Sequence, residues 1–127
     1  MRGPFRAGLF VYAKDLARLA TFYEDTLGLV RVDGSDELAV LQSADFELVV
    51  HRIPDAIAAG ITIASPPEPR EDTALKFYFT VPSLASAEAT ASALGGEVYA
   101  ASWDGPGFRV RNARDPEGNI FQLREKR

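Results

Sequence analysis

His51 is the only histidine and cysteine is absent, so few side chains can carry chemistry near neutral pH. Glu47 and His51 stand four residues apart in Glu47-Leu48-Val49-Val50-His51, which puts both on one face of a strand. A carboxylate and an imidazole there are candidates for acid–base work. A lone histidine also serves as a purely structural residue, and a general base needs a positioned substrate. Arg109 and Arg111 share one face of Phe108-Arg109-Val110-Arg111; they are candidates to bind an anionic group, or a solvated strand face. Trp103 with Asp104, just before Gly105-Pro106-Gly107, reads either as a lid or edge aromatic over a site or as packing beneath a loop. The lack of cysteine excludes disulfides, thiolate nucleophiles and thiolate metal sites. No Gly-x-Ser-x-Gly elbow and no glycine-rich loop ending in Lys-Ser/Thr is present, which removes two common catalytic frameworks.

The elements that must position these residues begin with Gly8 to Leu29. Leu9, Val11 and Ala13 alternate with Gly8, Phe10 and Tyr12, the period of a strand. The period then changes. Asp15 suits a helix N-cap, Leu16, Leu19, Ala20, Tyr23 and Leu27 follow at helical spacing, and Gly28 can stop the helix in a left-handed conformation. Leu29 to Asp33, Leu38 to Gln42 and Phe46 to Arg52 read as three short strands. Residues 53–74 hold Ile53-Pro54 and Ser65-Pro66-Pro67-Glu68-Pro69, and so many prolines exclude a single regular element. This stretch is read as a connector that crosses between two halves or lies over a site.

Leu75 to Val81 alternates again, Ser83 can cap a helix bearing Leu84, Ala87, Ala91 and Leu94, and Gly95-Gly96 can stop it. A shift of 68 positions lays Val11 on Phe79, Ala13 on Val81, Asp15 on Ser83, Leu16 on Leu84 and Gly28 on Gly96. Five ordered coincidences of cap, packing and stop positions indicate an internal duplication. Glu97 to Ala101, Phe108 to Ala113 and Asn119 to Arg124 complete the second copy as strands, and Asp115-Pro116-Glu117-Gly118 is a turn with the type I preferences. A match of Glu47 to Gln122, an offset of 75, implies an insertion near Ala101 to Gly107.

With 127 residues, 46% of them hydrophobic, the chain can bury one core. Its net charge of −4 with scattered basic residues argues against nucleic acid as a partner. The basic end Arg124 to Arg127 is expected to be a frayed, solvated tail. No apolar run approaches membrane-spanning length and the start of the chain lacks a signal-peptide pattern, so the expectation is a cytoplasmic protein with no membrane partner.

A strand–helix–three-strand unit present twice, with Asp15-Leu16 leading to Phe22-Tyr23 and Leu27-Gly28-Leu29 and with Asp115-Pro116-Glu117-Gly118-Asn119 before a last strand, resembles the vicinal oxygen chelate superfamily. That group includes glyoxalase I, bleomycin-resistance proteins, extradiol dioxygenases and fosfomycin-resistance enzymes. The resemblance implies an α+β fold of two βαβββ modules, about residues 5–52 and 75–125, in one domain spanning the chain. The strands would form a curved mixed sheet with a concave ligand cup, the helices would lie on the convex side, and a homodimer would be usual. Alternation then assigns Gly8, Phe10, Tyr12, Glu47, Val49, His51, Lys76, Tyr78, Thr80, Ile120, Gln122 and Arg124 to the cup or to a solvated sheet face.

In metal-using members four ligands come from equivalent points of the two halves, and the matching positions here are Gly8, Glu47, Lys76 and Gln122. Glycine has no ligating group and a protonated lysine has no lone pair. The expectation is therefore no cofactor, with Glu47 and Gln122 the only metal candidates, and a Lys76–Glu47 ion pair in place of the ion. The functional expectation is a small-molecule binding protein whose ligand contacts come from Phe10, Tyr12, Glu47, His51, Lys76, Tyr78, Trp103, Arg109 and Gln122. The alternative is a lyase, isomerase or dioxygenase-like enzyme that uses a reduced metal site or Glu47 and His51.

Overall fold

The Asp15 carboxylate accepts the Arg18 backbone N–H at 3.2 Å, and Gly28, at φ 67°, returns its own N–H to the Glu24 carbonyl. These two local devices delimit the first helix. The computed structural model describes residues 4–127. In it the helix is α1 (Leu16–Leu27), after β1 (Gly8–Ala13) and before β2 (Val30–Gly34), β3 (Leu38–Gln42) and β4 (Glu47–Arg52). The connector carries one short helix, α2 (Asp55–Ala58). The second half follows with β5 (Tyr78–Thr80), α3 (Leu84–Ala93), β6 (Glu97–Gly105), β7 (Phe108–Arg114) and β8 (Ile120–Lys126).

Each half is a four-stranded mixed sheet, ordered β1-β4-β3-β2 and β5-β8-β7-β6. In each, the first strand lies parallel to the last and the other pairs are antiparallel. This is the α+β architecture of two βαβββ modules. The apolar parity of the strands meets the helices: Leu48, Val50, Phe121 and Leu123 are buried with Leu19, Ala20, Phe22 and Tyr23 of α1 and with Leu84, Ala87 and Ala91 of α3. Phe77 stacks on Phe121 at 5.3 Å, and Tyr23 of α1 meets Phe121 at 5.5 Å. A helix of the first module thus packs on a strand of the second. Each buried large apolar side chain contributes about 1.5–3 kcal/mol, so this aromatic group is a main link between the modules.

A polar latch supplies the second link. The turn after β7 is buried from Asp115 to Gly118. The Tyr23 hydroxyl donates to Asp115 Oδ2 at 2.5 Å, and the other Asp115 oxygen accepts the backbone N–H groups of Glu117 and Asn119 at 2.8 and 3.1 Å. Glu117 accepts the backbone N–H groups of Lys14 and Asp15 at 2.9 and 2.8 Å, at the entrance to α1. Burial, reinforced by the Asp115 carboxylate, holds the Tyr23 phenol well above its usual 10.0. Above pH 10.0 the unfolded chain loses this proton while the folded chain keeps it, so stability must fall as pH rises. The slope approaches about 1.4 kcal/mol per pH unit. Urea unfolding of the protein and of Tyr23→Phe between pH 9 and 11 should show a steeper fall in the first, the Tyr99 phenol, also raised by burial, leaving a shallower fall in the second.

Several boundaries differ from the sequence expectation. The alternating stretch Leu75 to Phe77 lies outside β5, since pairing with β8 covers only Tyr78 to Thr80, and Leu75 is 82% exposed. Strand β6 runs through the supposed insertion to Gly105, with a register shift between Val98 and Ser102, so Trp103 sits on a strand and not in a loop. The basic end is not frayed: Arg124 to Lys126 belong to β8, and Arg127 donates its backbone N–H to Gly107 and pairs with Asp104 at 2.7 Å. The connector is tied down by a bridge of Arg70 with Asn119. The pairing also revises the internal match. Phe10 is the partner of Val49, and Tyr78, 68 positions on, is the partner of Gln122, 73 positions beyond Val49. Gln122 therefore corresponds to Val49, and not to Glu47.

Candidate functional site

On β1 and β4, the parity opposite the core presents Phe10, Tyr12 and His51 side by side, because Tyr12 and His51 are register partners. Their rings form one cluster, with Phe10–Tyr12 at 6.2 Å, Phe10–His51 at 6.3 Å and Tyr12–His51 at 5.7 Å. Phe10 and Tyr12 are each 56% exposed, so the aromatic area is open to a ligand or a partner. His51 Nδ1 lies 2.8 Å from the Arg52 carbonyl oxygen. A carbonyl only accepts, so Nδ1 carries the hydrogen and Nε2 keeps the lone pair in the neutral ring. Two residues down the strand from Val49, Glu47 accepts from Gln42 Nε2 at 3.0 Å.

The second module presents a different face. Register partners line up across the sheet in rows: Trp103, Val110, Arg124 and Thr80 in one; Asn112, Gln122 and Tyr78 in the next. Tyr78 is 56% and Trp103 46% exposed. The Arg124 guanidinium lies over the Tyr78 ring at 3.6 Å and over the Phe108 ring at 4.4 Å, and its Nε donates to Gln122 Oε1 at 2.9 Å. Lys76 donates to Asn112 Oδ1 at 3.4 Å. Among the described residues no Lys76–Glu47 ion pair forms.

Of the residues expected to line a cup, Phe10, Tyr12, Glu47 and His51 come together on the first face, and Lys76, Tyr78, Trp103 and Gln122 on the second. Arg109 joins neither. It shares the parity of Leu123 and Glu125, which faces α3, and pairs with Asp104 at 3.3 Å. Arg111, on that same side, is held by Glu88 of α3 at 2.9 Å, and this contact lowers the Glu88 carboxyl below its usual value. Arg124 and Phe108 are not among the ligand contacts expected from the sequence: alternation puts Arg124 on the cup parity, but the run of basic residues after it reads as a tail.

The sequence expectation set the metal positions at Gly8, Glu47, Lys76 and Gln122, but the offset of 73 seen in the pairing makes Ile120, which has no ligating group, the counterpart of Glu47. A side chain on residue 8 would place its Cβ 2.7 Å from the Glu47 carbonyl oxygen, so that point is closed by the backbone as well as by residue type. The Gln122 oxygen is engaged by Arg124, and the Lys76 ammonium brings a positive charge. Among the described residues no three His, Cys, Asp or Glu side chains converge as ligands would.

Two clefts flank the seam between the modules. One, of about 330 Å³, runs from Phe10 and Tyr12 to Lys76 and Phe77; the other, of about 670 Å³, lies between residues 43–46 and β5. A more capacious cleft of about 960 Å³ lies away from both faces, between the start of α1, residues 35–37 and residues 62–65. Three of its basic side chains are engaged, Arg31 with Glu24, Arg52 with Asp55 and Lys14 with the Ile61 carbonyl. It offers no exposed aromatic surface, so the strand faces are the better site.

Comparison with known proteins gives a consistent result. A family described as a glyoxalase-like domain matches residues 8–124. The chain is similar in structure to a glyoxalase-related enzyme from Fulvimarina pelagi, with a TM-score of 0.68 at 20% identity over 94% of this chain and 86% of that one. It is similar to a bleomycin resistance determinant encoded on the transposon Tn5, with a TM-score of 0.61 at 20% identity over 97% and 98%. It is also similar to a lactoylglutathione lyase from Agrobacterium tumefaciens, with a TM-score of 0.58 at 24% identity over 94% and 91%. No curated protein matches the sequence.

Proposed function

The chain belongs to the glyoxalase-like domain family, and from that membership we propose that it binds a small organic molecule on its two open strand faces, without a divalent metal held by the protein. The observation that carries this reading is the exposed cluster of Phe10, Tyr12 and His51. It offers apolar area for affinity and an imidazole lone pair for orientation. The protein acts as a homodimer. β1 and β5 are edge strands whose backbone groups are open on one side, which favours pairing with a second copy. No described helix is long and apolar enough to cross a membrane.

A second reading, an enzyme of the lyase or isomerase type, is favoured by one feature. The Nδ1–H of His51 is fixed by the Arg52 carbonyl, so Nε2 is poised as an acceptor for a proton. Thermal unfolding in metal-free buffer against aromatic and glycopeptide-like compounds, and against divalent metals, separates the readings. Binding predicts stabilisation by a compound alone, about 2.7 kcal/mol at 100 times its dissociation constant. Stabilisation that requires a metal would overturn the metal-free reading. Light scattering of the eluting protein tests the dimer, and a monomer at micromolar concentration would refute it.

A further inference from the structure

We propose that Arg124 anchors an oxyanion, a carboxylate or a phosphonate, carried by a small aromatic ligand on the open face of the second module. This rests on the small-molecule reading above and narrows its ligand class. The guanidinium is held between the rings of Tyr78 and Phe108, at 3.6 and 4.4 Å, and its Nε is spent on Gln122 Oε1. Those contacts fix both its plane and the direction of its fork, so little rotamer freedom is left to lose on binding. A guanidinium has five N–H donors. Among the described residues the four on Nη1 and Nη2 of Arg124 have no partner, and none of its neighbours neutralises it.

The acidic groups nearby are engaged elsewhere. Glu125 accepts the Leu84 backbone N–H at the start of α3; Asp104 holds Arg109 and Arg127; Glu97 holds Arg114. A fixed, unneutralised fork on a chain of net charge −4 matches the bidentate geometry of an oxyanion. Trp103, in the same cross-sheet row, and the exposed ring of Tyr78 supply the apolar surface for an aromatic body. Packing between two rings does not by itself require a charge, and the charge is what selects the ligand.

Trp103 is the only tryptophan, so its fluorescence reports on this face directly. Benzoate, phenylphosphonate and neutral benzamide are titrated at constant ionic strength into the protein, Arg124→Gln and Arg124→Lys. At least one anion should bind about tenfold or more tightly than benzamide. Arg124→Gln should abolish that preference while retaining benzamide binding, and Arg124→Lys, which keeps the charge without the fork, should retain a weaker preference. The benzoate and phenylphosphonate arms identify the oxyanion. Benzamide binding as tight as the anions, or a preference unchanged in both variants, overturns the Arg124 assignment and leaves the small-molecule reading standing. No response to any of the three overturns both for this face. Should Arg124→Gln unfold by circular dichroism, an undiminished preference in Arg124→Lys is itself sufficient to overturn the proposal.

Discussion

Replacing Asp115 by alanine should lower the free energy of unfolding by about 3–5 kcal/mol. The carboxylate is fully buried and receives four donors: the Tyr23 hydroxyl at 2.5 Å, Asn119 Nδ2 at 2.8 Å, and the backbone N–H groups of Glu117 and Asn119 at 2.8 and 3.1 Å. Removing it leaves all four facing a small cavity. Unpaired buried donors each carry a desolvation penalty of about 1–3 kcal/mol, relieved only where water enters. A domain of this kind has about 5–15 kcal/mol in total, so the loss is a large fraction, and the midpoint of a urea titration reads it. Asp115→Asn keeps an acceptor and the shape, and should lose about 1–2 kcal/mol. Equal losses in the two variants would show that shape and not the donor network sets the effect.

The same group has an acid-side signature. Burial raises the Asp115 carboxyl above its usual 3.8, against the opposing hydrogen bonds from Tyr23 and Asn119. The folded chain then keeps a proton that the unfolded chain has lost. The proton-linked part of the stability is complete below pH 3.8 and is lost as pH rises through the folded value. Asp115→Asn removes that component, so the difference between the two stability–pH curves should change across this range and become flat above it.

Sequence patterning reached as far as local physics reaches. Asp15, Gly28 and Ser83 act on their own neighbours, so α1 and α3 were readable from the chain alone, and alternation separated the buried Leu48, Val50, Phe121 and Leu123 from the open Phe10, Tyr12 and Tyr78. The Asp115 turn was recognised as a turn, but its hydrogen bond to Tyr23 spans 92 positions, and no local pattern encodes such a contact. The match of Glu47 to Gln122 at an offset of 75 differs from the offset of 73 in the pairing, since β6 lies between the matched strands and carries a register shift that no local pattern shows. Arg124 failed for a related reason. The residues after it compose a charge run, while the rings that stack on it come from β5 and from the start of β7. Composition sees the first and not the second.

Gly118→Ala should destabilise the protein by about 2–5 kcal/mol, beyond the effect of Gly28→Ala. Both glycines have positive φ, +89° at Gly118 and +67° at Gly28, so each alanine pays for a left-handed backbone, about 1–2 kcal/mol. The surroundings separate them. A Cβ at residue 28 meets nothing within 4 Å, whereas one at residue 118 would stand 2.2 Å from the Glu68 carbonyl oxygen. That oxygen is backbone and cannot swing aside like a side chain, so the connector must move. Arg70 donates its backbone N–H to the Gly118 carbonyl at 2.8 Å and its Nε to the Glu117 carbonyl at 3.1 Å, and displacement of residues 68–70 puts both bonds at risk. Net losses of about 0.5–1.5 kcal/mol for each bond bring the total to the stated range. Urea midpoints for the two variants measured side by side give the steric part as their difference. Equal midpoints would mean that the connector yields freely, and that its docking against the buried turn contributes little to holding the modules together.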